Sequence, residues 1–259
     1  ATADHSLIVL RNGRVRSIRG EAVRVGEAVP VPRSLPEPKE WPTAIAPKSL
    51  IPKWPAFLPQ TISIESDLLT LLGLTTSEGY LSPSTLNIYN RDPLILTAIQ
   101  KTANAIGAKT APRYGDNHAL GGYNVQPNDY AKLFTALGAG GRSGQKRVPP
   151  IIFSLSNTQI ATYLRAYYEG DGTVSAQEVS CTSKSHDLMS DICYLLLRFD
   201  IVGRIRSKWK RAANTKDTGD TYYELVVSGS DHLARFARDI RFLTPRKQLK
   251  LIGLLGKHH

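Results

Sequence analysis

Apolar positions change rhythm along this chain, and the changes divide it. Near the N-terminus, Ser6-Leu-Ile-Val-Leu10 and Arg14-Val-Arg-Ser-Ile18 flank Asn12-Gly13. Asn-Gly between apolar-rich runs predicts a tight β-hairpin. A third short extended stretch follows Gly20, over 22–31. Nine of the sixteen prolines then fall between Pro30 and Pro59, which predicts a stiff, extended connector over 31–59 that forms neither helix nor central strand. Its Trp41, Ile45, Ile51, Trp54 and Phe57 suggest that it lies packed on a surface, and a domain boundary is expected there.

From Thr61 onward a helix-and-strand rhythm runs through twice. The first pass predicts a helix over 64–78, a strand over 81–90, a helix from Asp92-Pro93 to Gly107, paired strands flanking 115–122, and a helix over 128–137. The second predicts a helix over 157–171, a strand over 173–182, a helix over 185–199, strands over 202–211 and 221–227, and helices over 231–240 and 245–255. Leu71-Leu-Gly-Leu-Thr-Thr-Ser-Glu-Gly79 and Leu164-Arg-Ala-Tyr-Tyr-Glu-Gly-Asp-Gly172 stand in register 93 residues apart. The same offset aligns Asn87-Ile-Tyr-Asn90 with Ser180-Cys-Thr-Ser183, so gene duplication is the economical explanation. The expectation is an α+β chain: a β segment (1–30), the connector (31–59) and two half-domains (60–150 and 151–259).

Composition narrows the class. Hydrophobic residues make up 41% of the 259, and no run approaches the roughly 20 apolar residues of a membrane span. Nothing at the N-terminus reads as a signal peptide. The strand-like opening without Met suggests a fragment or a processed product. Two cysteines, Cys181 and Cys193, lack disulfide or metal-ligand spacing, so an intracellular, cytoplasmic location is expected. The net charge of +11 favours a polyanionic partner, nucleic acid first and anionic membrane second.

Glu78 and Asp171 are the chemistry-bearing pair. Each is predicted at the C-terminal end of its helix, where the dipole disfavours an acid. Gly73 and Ala166 are small enough to let the helices approach, and the two carboxylates would then repel. A Leu-rich helix ending at glycine is ordinarily a core helix with its C-terminal glycine; two in register, each with an acid before the glycine, point instead to a site. A divalent cation relieves both penalties, and oxygen ligands suit Mg²⁺. Paired acids, metal and a basic surface suggest metal-assisted phosphodiester hydrolysis.

Both motifs resemble those of the LAGLIDADG homing endonucleases in their single-chain form, over roughly residues 60–255. The resemblance implies two pseudo-symmetric αββαββα half-domains in a monomer, with curved antiparallel sheets lying in the major groove of double-stranded DNA. It implies that Glu78 and Asp171 hold the metal with the residues before them, Ser77 and Gly170. Mg²⁺ is expected, with Mn²⁺ or Ca²⁺ able to substitute in binding. The chain departs from the family pattern at Thr75-Thr76-Ser77, which is more polar than usual, and in Glu78, where Asp is commoner.

Phosphodiester hydrolysis also benefits from a cation beside the developing charge. Lys146-Arg-Val-Pro149 resembles the Lys-x-Ile/Val-Pro element of archaeal intein endonucleases, which makes Lys146 the first choice and Lys247 its counterpart, with Lys250 a weaker alternative. Period-two geometry aligns Arg204, Arg206, Lys208 and Lys210 on one face of the strand ending at Arg211, an arrangement suited to phosphates. Asn87, Tyr89, Arg91, Gln177, Ser180 and Thr182 are candidate base readers from the strand after each motif.

No histidine pattern forms a site, and His258-His259 resembles a tag remnant. Thr2-Ala-Asp-His-Ser6 is similar to the second block of inteins, which makes His5 a splicing remnant. With neither an N-terminal nucleophile nor a terminal His-Asn, no splicing is expected. The function expected is a homing endonuclease cutting a long intein-insertion target. The alternatives are a non-cleaving DNA- or RNA-binding relative of the same fold, or a protein-splicing module.

Overall fold

The structure, a computed structural model, describes residues 3–115, 118–210 and 219–256. It divides into two compact units, 1–33 and 34–259. In the first unit, β1 (Ser6–Arg11) and β2 (Arg14–Arg19) pair antiparallel. Asn12 and Gly13 both take positive φ, 52° and 71°, as the tight primed turn requires. The Glu27 carboxylate, held by the Arg11 guanidinium, is pulled down to about 2.

The connector from Ser34 onward belongs to the second unit. Leu35 N donates to Leu197 O at 3.0 Å, and the Glu37 carboxylate accepts from Asn157 N. Further along, β3 (Ala44–Ile45), α1 (Pro47–Leu50) and β4 (Ile62–Ser63) form a small patch in which β3 pairs with β4. Ile45, Trp54 and Leu58 are buried in the core, whereas Trp41 and Phe57 stay exposed. Trp54 packs edge-on against Tyr130, with ring centroids 5.5 Å apart, and donates to Pro59 O. The proline-rich stretch is therefore a strap across the same body as the repeats.

Two copies of one topology follow. The first has α2 (Ser66–Glu78), β5 (Gly79–Ser82), β6 (Thr85–Tyr89), α3 (Pro93–Ala105), β7 (Lys109–Tyr114), β8 (Leu120–Gln126) and α4 (Asp129–Ala136). The second has α5 (Asn157–Asp171), β9 (Gly172–Val174), β10 (Glu178–Ser183), α6 (His186–Leu196), β11 (Arg204–Lys210), β12 (Asp220–Ser228), α7 (Ser230–Arg235) and α8 (Pro245–Leu255). Their four-stranded antiparallel sheets run β5-β6-β8-β7 and β9-β10-β12-β11, the same order in each half. Equivalent N-caps keep the 93-residue offset: Asp92 accepts from Leu94 N and Ser185 from Leu188 N, satisfying helix-start donors.

Two strand expectations need correcting. The stretches 81–90 and 173–182 are not single strands but hairpins, β5–β6 and β9–β10. Pro83-Ser84 turns the first. In the second, Ser175 Oγ accepts from Gln177 N and Glu178 N, a local side-chain turn that period-two reading overlooks. The helix expected over 231–240 stops at Arg235, with Phe236–Ile240 wound as a π-turn. Arg211, Thr2, His258 and His259 lie outside the described residues.

Helices α2 and α5 cross at the centre. A Cβ on Gly73 would come within 2.5 Å of Tyr163 O and 2.7 Å of Ala166 Cβ, and one on Gly170 within 2.3 Å of Ser77 Oγ. These small residues let the backbones nearly touch, while Leu68 to Leu74 are buried around them. Tyr163 OH donates to Thr76 Oγ1 across the contact at 3.0 Å. At the far end, α5 starts in a capping box of Ser156 and Gln159, and Gln159 Nε2 donates to Ile64 O beside the start of α2.

Candidate active site at the paired helix ends

Both motif helices end alike. Gly79 and Gly172 take extended backbone, φ −84° and −83°, and each returns its N–H to the residue four before, Thr75 O and Tyr168 O. The left-handed cap of an ordinary helix end is not used. Glycine is needed for another reason: a Cβ would lie 2.2 Å from Thr75 O or Tyr168 O. The chain can therefore leave the helix straight into β5 or β9, which holds Glu78 and Asp171 at the junction.

Each half caps its own motif helix with a lysine. Lys146 Nζ donates to Thr76 O (2.9 Å), Ser77 O (3.3 Å) and Gly79 O (3.2 Å). Lys247 Nζ, in the first turn of α8, donates to Gly172 O at 2.8 Å and to Glu169 O. Thr76 and Gly79 correspond to Glu169 and Gly172 at the 93-residue offset, so the two cations are equivalents, each on the negative end of a helix dipole. Lys250 is exposed and takes no part in this capping. The Lys146 segment is anchored by the other half: Arg147 grips Asp191 of α6 at 2.6 and 2.8 Å, and Val148 N donates to the same carboxylate.

The electrostatics follow from crowding. Burial pushes the Asp171 carboxyl up from 3.8 to about 7, with the Glu78 charge adding to the effect. Burial also raises Glu78, against the pull of Lys247 and Lys146. Desolvation lowers both lysines while the two acids oppose it. Two acids and two cations thus share one poorly solvated spot. A cleft of about 930 Å³ opens beside it, bordered by Glu78, Tyr89, Asn90, Arg91, Arg113 and Tyr114.

Two supporting residues escape sequence reading. Asn90 Nδ2 donates to Glu78 Oε1 at 3.3 Å, while its own Oδ1 accepts from Asp92 N. Glu169 is buried and accepts from Thr244 N (2.9 Å) and Thr244 Oγ1 (2.8 Å), with Lys247 Nζ 4.0 Å away. The signal for Glu169 was visible as a second acid, two residues before Asp171; its counterpart Thr76 is neutral, which hid it. Ser77 O is engaged by Lys146, so of the two residues before the acids Ser77 is already a hydrogen-bond acceptor.

The expected DNA-contact residues separate on the sheets. Helices cover one face of each sheet, burying Leu86, Ile88, Leu225 and Val227. Tyr89, Arg204, Arg206 and Lys208 stand exposed on the other strand positions, and Lys210 pairs with Asp220 in the backbone register. Asn87 shares the open face but is only 4% exposed, beneath Tyr89 and Asn124, to which it is hydrogen-bonded. Ser180 is buried likewise, Thr182 is half-buried, and Gln177 lies exposed in the β9–β10 turn rather than on a strand. Arg91 is exposed at the cleft. His5, whose O accepts from Gly20 N, belongs to the first unit.

Residues 158–241 match the LAGLIDADG-like domain. The LAGLIDADG match covers α5 through the end of the π-turn, the second of the two halves. Among solved structures, the homing endonuclease I-DmoI in complex with DNA and Ca is similar at a TM-score of 0.52 and 14% identity, over 76% of this chain and 99% of that one. Full-length DUF199/WhiA from Thermatoga maritima is similar at 0.51 and 10% identity, over 83% of this chain and 66% of that one. These likenesses show the fold.

Among curated proteins, the replication factor C small subunit of Thermococcus kodakarensis is 28% identical over 207 residues, 78% of this chain and 22% of that protein. The replication factor C small subunit of Methanocaldococcus jannaschii is 29% identical over 132 residues, 51% and 7%. Elongation factor 2 of Methanopyrus kandleri is 36% identical over 100 residues, 38% and 7%. The chain thus spans 7% to 22% of the length of these relatives.

Proposed function

We propose that this protein is a divalent-metal-dependent, sequence-specific DNA endonuclease that cuts both strands of a duplex. The carrying observation is the duplicated helix end: one acid, one lysine and one glycine junction per half, brought together where α2 and α5 cross. Two equivalent reaction centres side by side suit two antiparallel phosphodiesters better than any single small substrate.

The donor set fits a hard cation. Asp171 is pushed up to about 7 by burial and by Glu78, so the free site holds negative charge at a cost that a divalent ion removes. Glu78 and Asp171 would hold the metal, with the carbonyls of the residues before them, Ser77 and Gly170, as further oxygen donors. When bound, such an ion supplies Lewis-acid stabilisation of the charge that builds on the phosphate. The residues of this chain do the rest. Asn90 fixes the Glu78 carboxylate, and Lys146 and Lys247 present ammonium charge near the two acids. The helix crossing sets the distance between the two centres. Mg²⁺ is the ion expected.

An origin as a mobile insertion, of the archaeal intein-encoded type, is part of this reading. Similar segments occur within proteins as different as a replication factor and an elongation factor, which supports a passenger rather than a domain of any one host. The N-terminal hairpin with His5 would then derive from a splicing domain. The test is strand-resolved cleavage of a duplex carrying the uninterrupted host sequence, with Mg²⁺ and with EDTA. Wild type should give double-strand breaks with Mg²⁺ alone, and Lys146→Met and Lys247→Met should slow opposite strands by about a hundredfold or more. DNA binding without cutting, unaltered by Glu78→Gln or Asp171→Asn, would leave the binding-only relative of this fold as the correct reading.

A further inference from the structure

The open face of the second sheet carries acids among its cations. Register places Arg206, Glu224 and Thr182 in one row across β11, β12 and β10, and Arg204, Val226 and Ser180 in the next. Lys208 Nζ lies 2.5 Å from Glu224 Oε2, and Arg206 Nη2 reaches Glu178 Oε2 at 3.7 Å. Glu178 stands opposite Ser228, one row beyond Val226, so the Arg206 bridge spans that residue, which is 1% exposed. Lys184 is likewise paired with Asp220 at 2.7 Å. The first half is built otherwise: none of its four strands contains Asp or Glu.

A free surface cation gains from a phosphate by releasing counterions. A cation already holding a carboxylate must give that partner up or bring it along. Glu224 is central on the face and only 8% exposed, and its Oε2 accepts no hydrogen bond from the described residues although the Lys208 charge lies alongside, so whatever covers it must offer a hydrogen-bond donor. Phosphates offer none. In the major groove the donors are the exocyclic amino groups, and carboxylates pair with that of cytosine.

We propose that Glu224, with Glu178 two rows away on the same face, determines sequence specificity in the second half-site by accepting from the amino group of a cytosine and rejecting duplexes that lack it. Lys208 and Arg206 are held by these carboxylates within reach of neighbouring acceptor edges. This rests on the DNA-cutting reading of the site, and it adds an acidic reading pair that a phosphate-binding strip would lack.

The experiment is binding selection of the full chain on a randomised duplex pool in Mg²⁺-free buffer, at two salt concentrations, with sequencing of the bound fraction. Wild type should enrich cytosine at a position that Glu224→Gln converts toward adenine, because glutamine pairs with adenine's N6 and N7. The preference should shift by about tenfold to a hundredfold. Freed Lys208 should also steepen the salt dependence by about one phosphate contact. Glu178→Gln, at a more exposed site, should relax a second, separate position and guards against a folding defect at Glu224. The same selected sequences and salt slope in both variants would overturn the proposal while leaving the DNA reading standing. A wild type that binds no duplex would overturn both.

Discussion

Replacing Asp171 by asparagine keeps the shape at the end of α5 and removes one charge. In the folded chain burial pushes this carboxyl up from 3.8 to about 7, assisted by Glu78. The native state therefore binds an extra proton between those two values, and stability falls as pH rises through the interval. The cost is absent below about pH 4 and complete above about pH 7. At about 1.4 kcal/mol per pH unit the interval caps at about 4 kcal/mol; relaxation of the cleft leaves on the order of 2 kcal/mol. Asp171→Asn should thus stabilise the metal-free protein by that amount at pH 8, raising Tm by roughly 4–8 °C for a unit of this size. At pH 4.5 the two proteins should melt nearly together. Adding Mg²⁺ at pH 8 should raise the wild-type midpoint and leave the variant's unmoved, because only wild type retains both acids. Melting curves across this pH range, with and without Mg²⁺, decide it. A variant that is less stable than wild type at pH 8, or a difference that ignores pH, would refute the electrostatic account.

Packing gives a second expectation. Gly73→Leu forces a side chain into Tyr163 O and Ala166 Cβ, which stand 2.5 and 2.7 Å from even a Cβ; urea denaturation should show a loss of about 3 kcal/mol or a failure to fold. Glu169→Ala should cost about 3 kcal/mol by the same assay, because Thr244 N and Oγ1 lose their buried acceptor and Lys247 its counter-charge. Thr76→Ala, at the neutral equivalent position, should cost about 1 kcal/mol.

The repeat was legible because packing demanded the same residues twice: a small residue at the crossing, an acid, then glycine. Helix α5 fell where periodicity put it, at 157–171, since a buried amphipathic face and a Ser-x-x-Gln start reinforce each other. The Asn12-Gly13 turn was legible for a purely local reason. What escaped was non-local. The cations of β11 form a row on paper, but the carboxylates that meet Arg206 and Lys208 come from β10 and β12, and nothing in the local pattern of β11 announces a partner on another strand. Asn87 sits at a reading position by alternation, yet Asn124 and Tyr89 close over it. Lys146 could be singled out by motif; that it caps α2 while Arg147 is locked to Asp191 required the fold.

The strap from Ser34 to Gln60 has a consequence for how the two halves could be separated. Its first residues hold the second half, through Leu197 and the start of α5, and its later ones are buried with the first half. Together with the 137–149 segment it makes the pair a closed circuit, joined by covalent chain on one side and by docked chain on the other. Exchanging one half for that of a relative, with the seam near residue 150, would transplant α5 without the carboxylate of Glu37 that meets its first turn. Modular recombination of this two-half body is therefore constrained by a piece of chain outside both repeats, and a workable graft must carry residues 34–40 along with the second half.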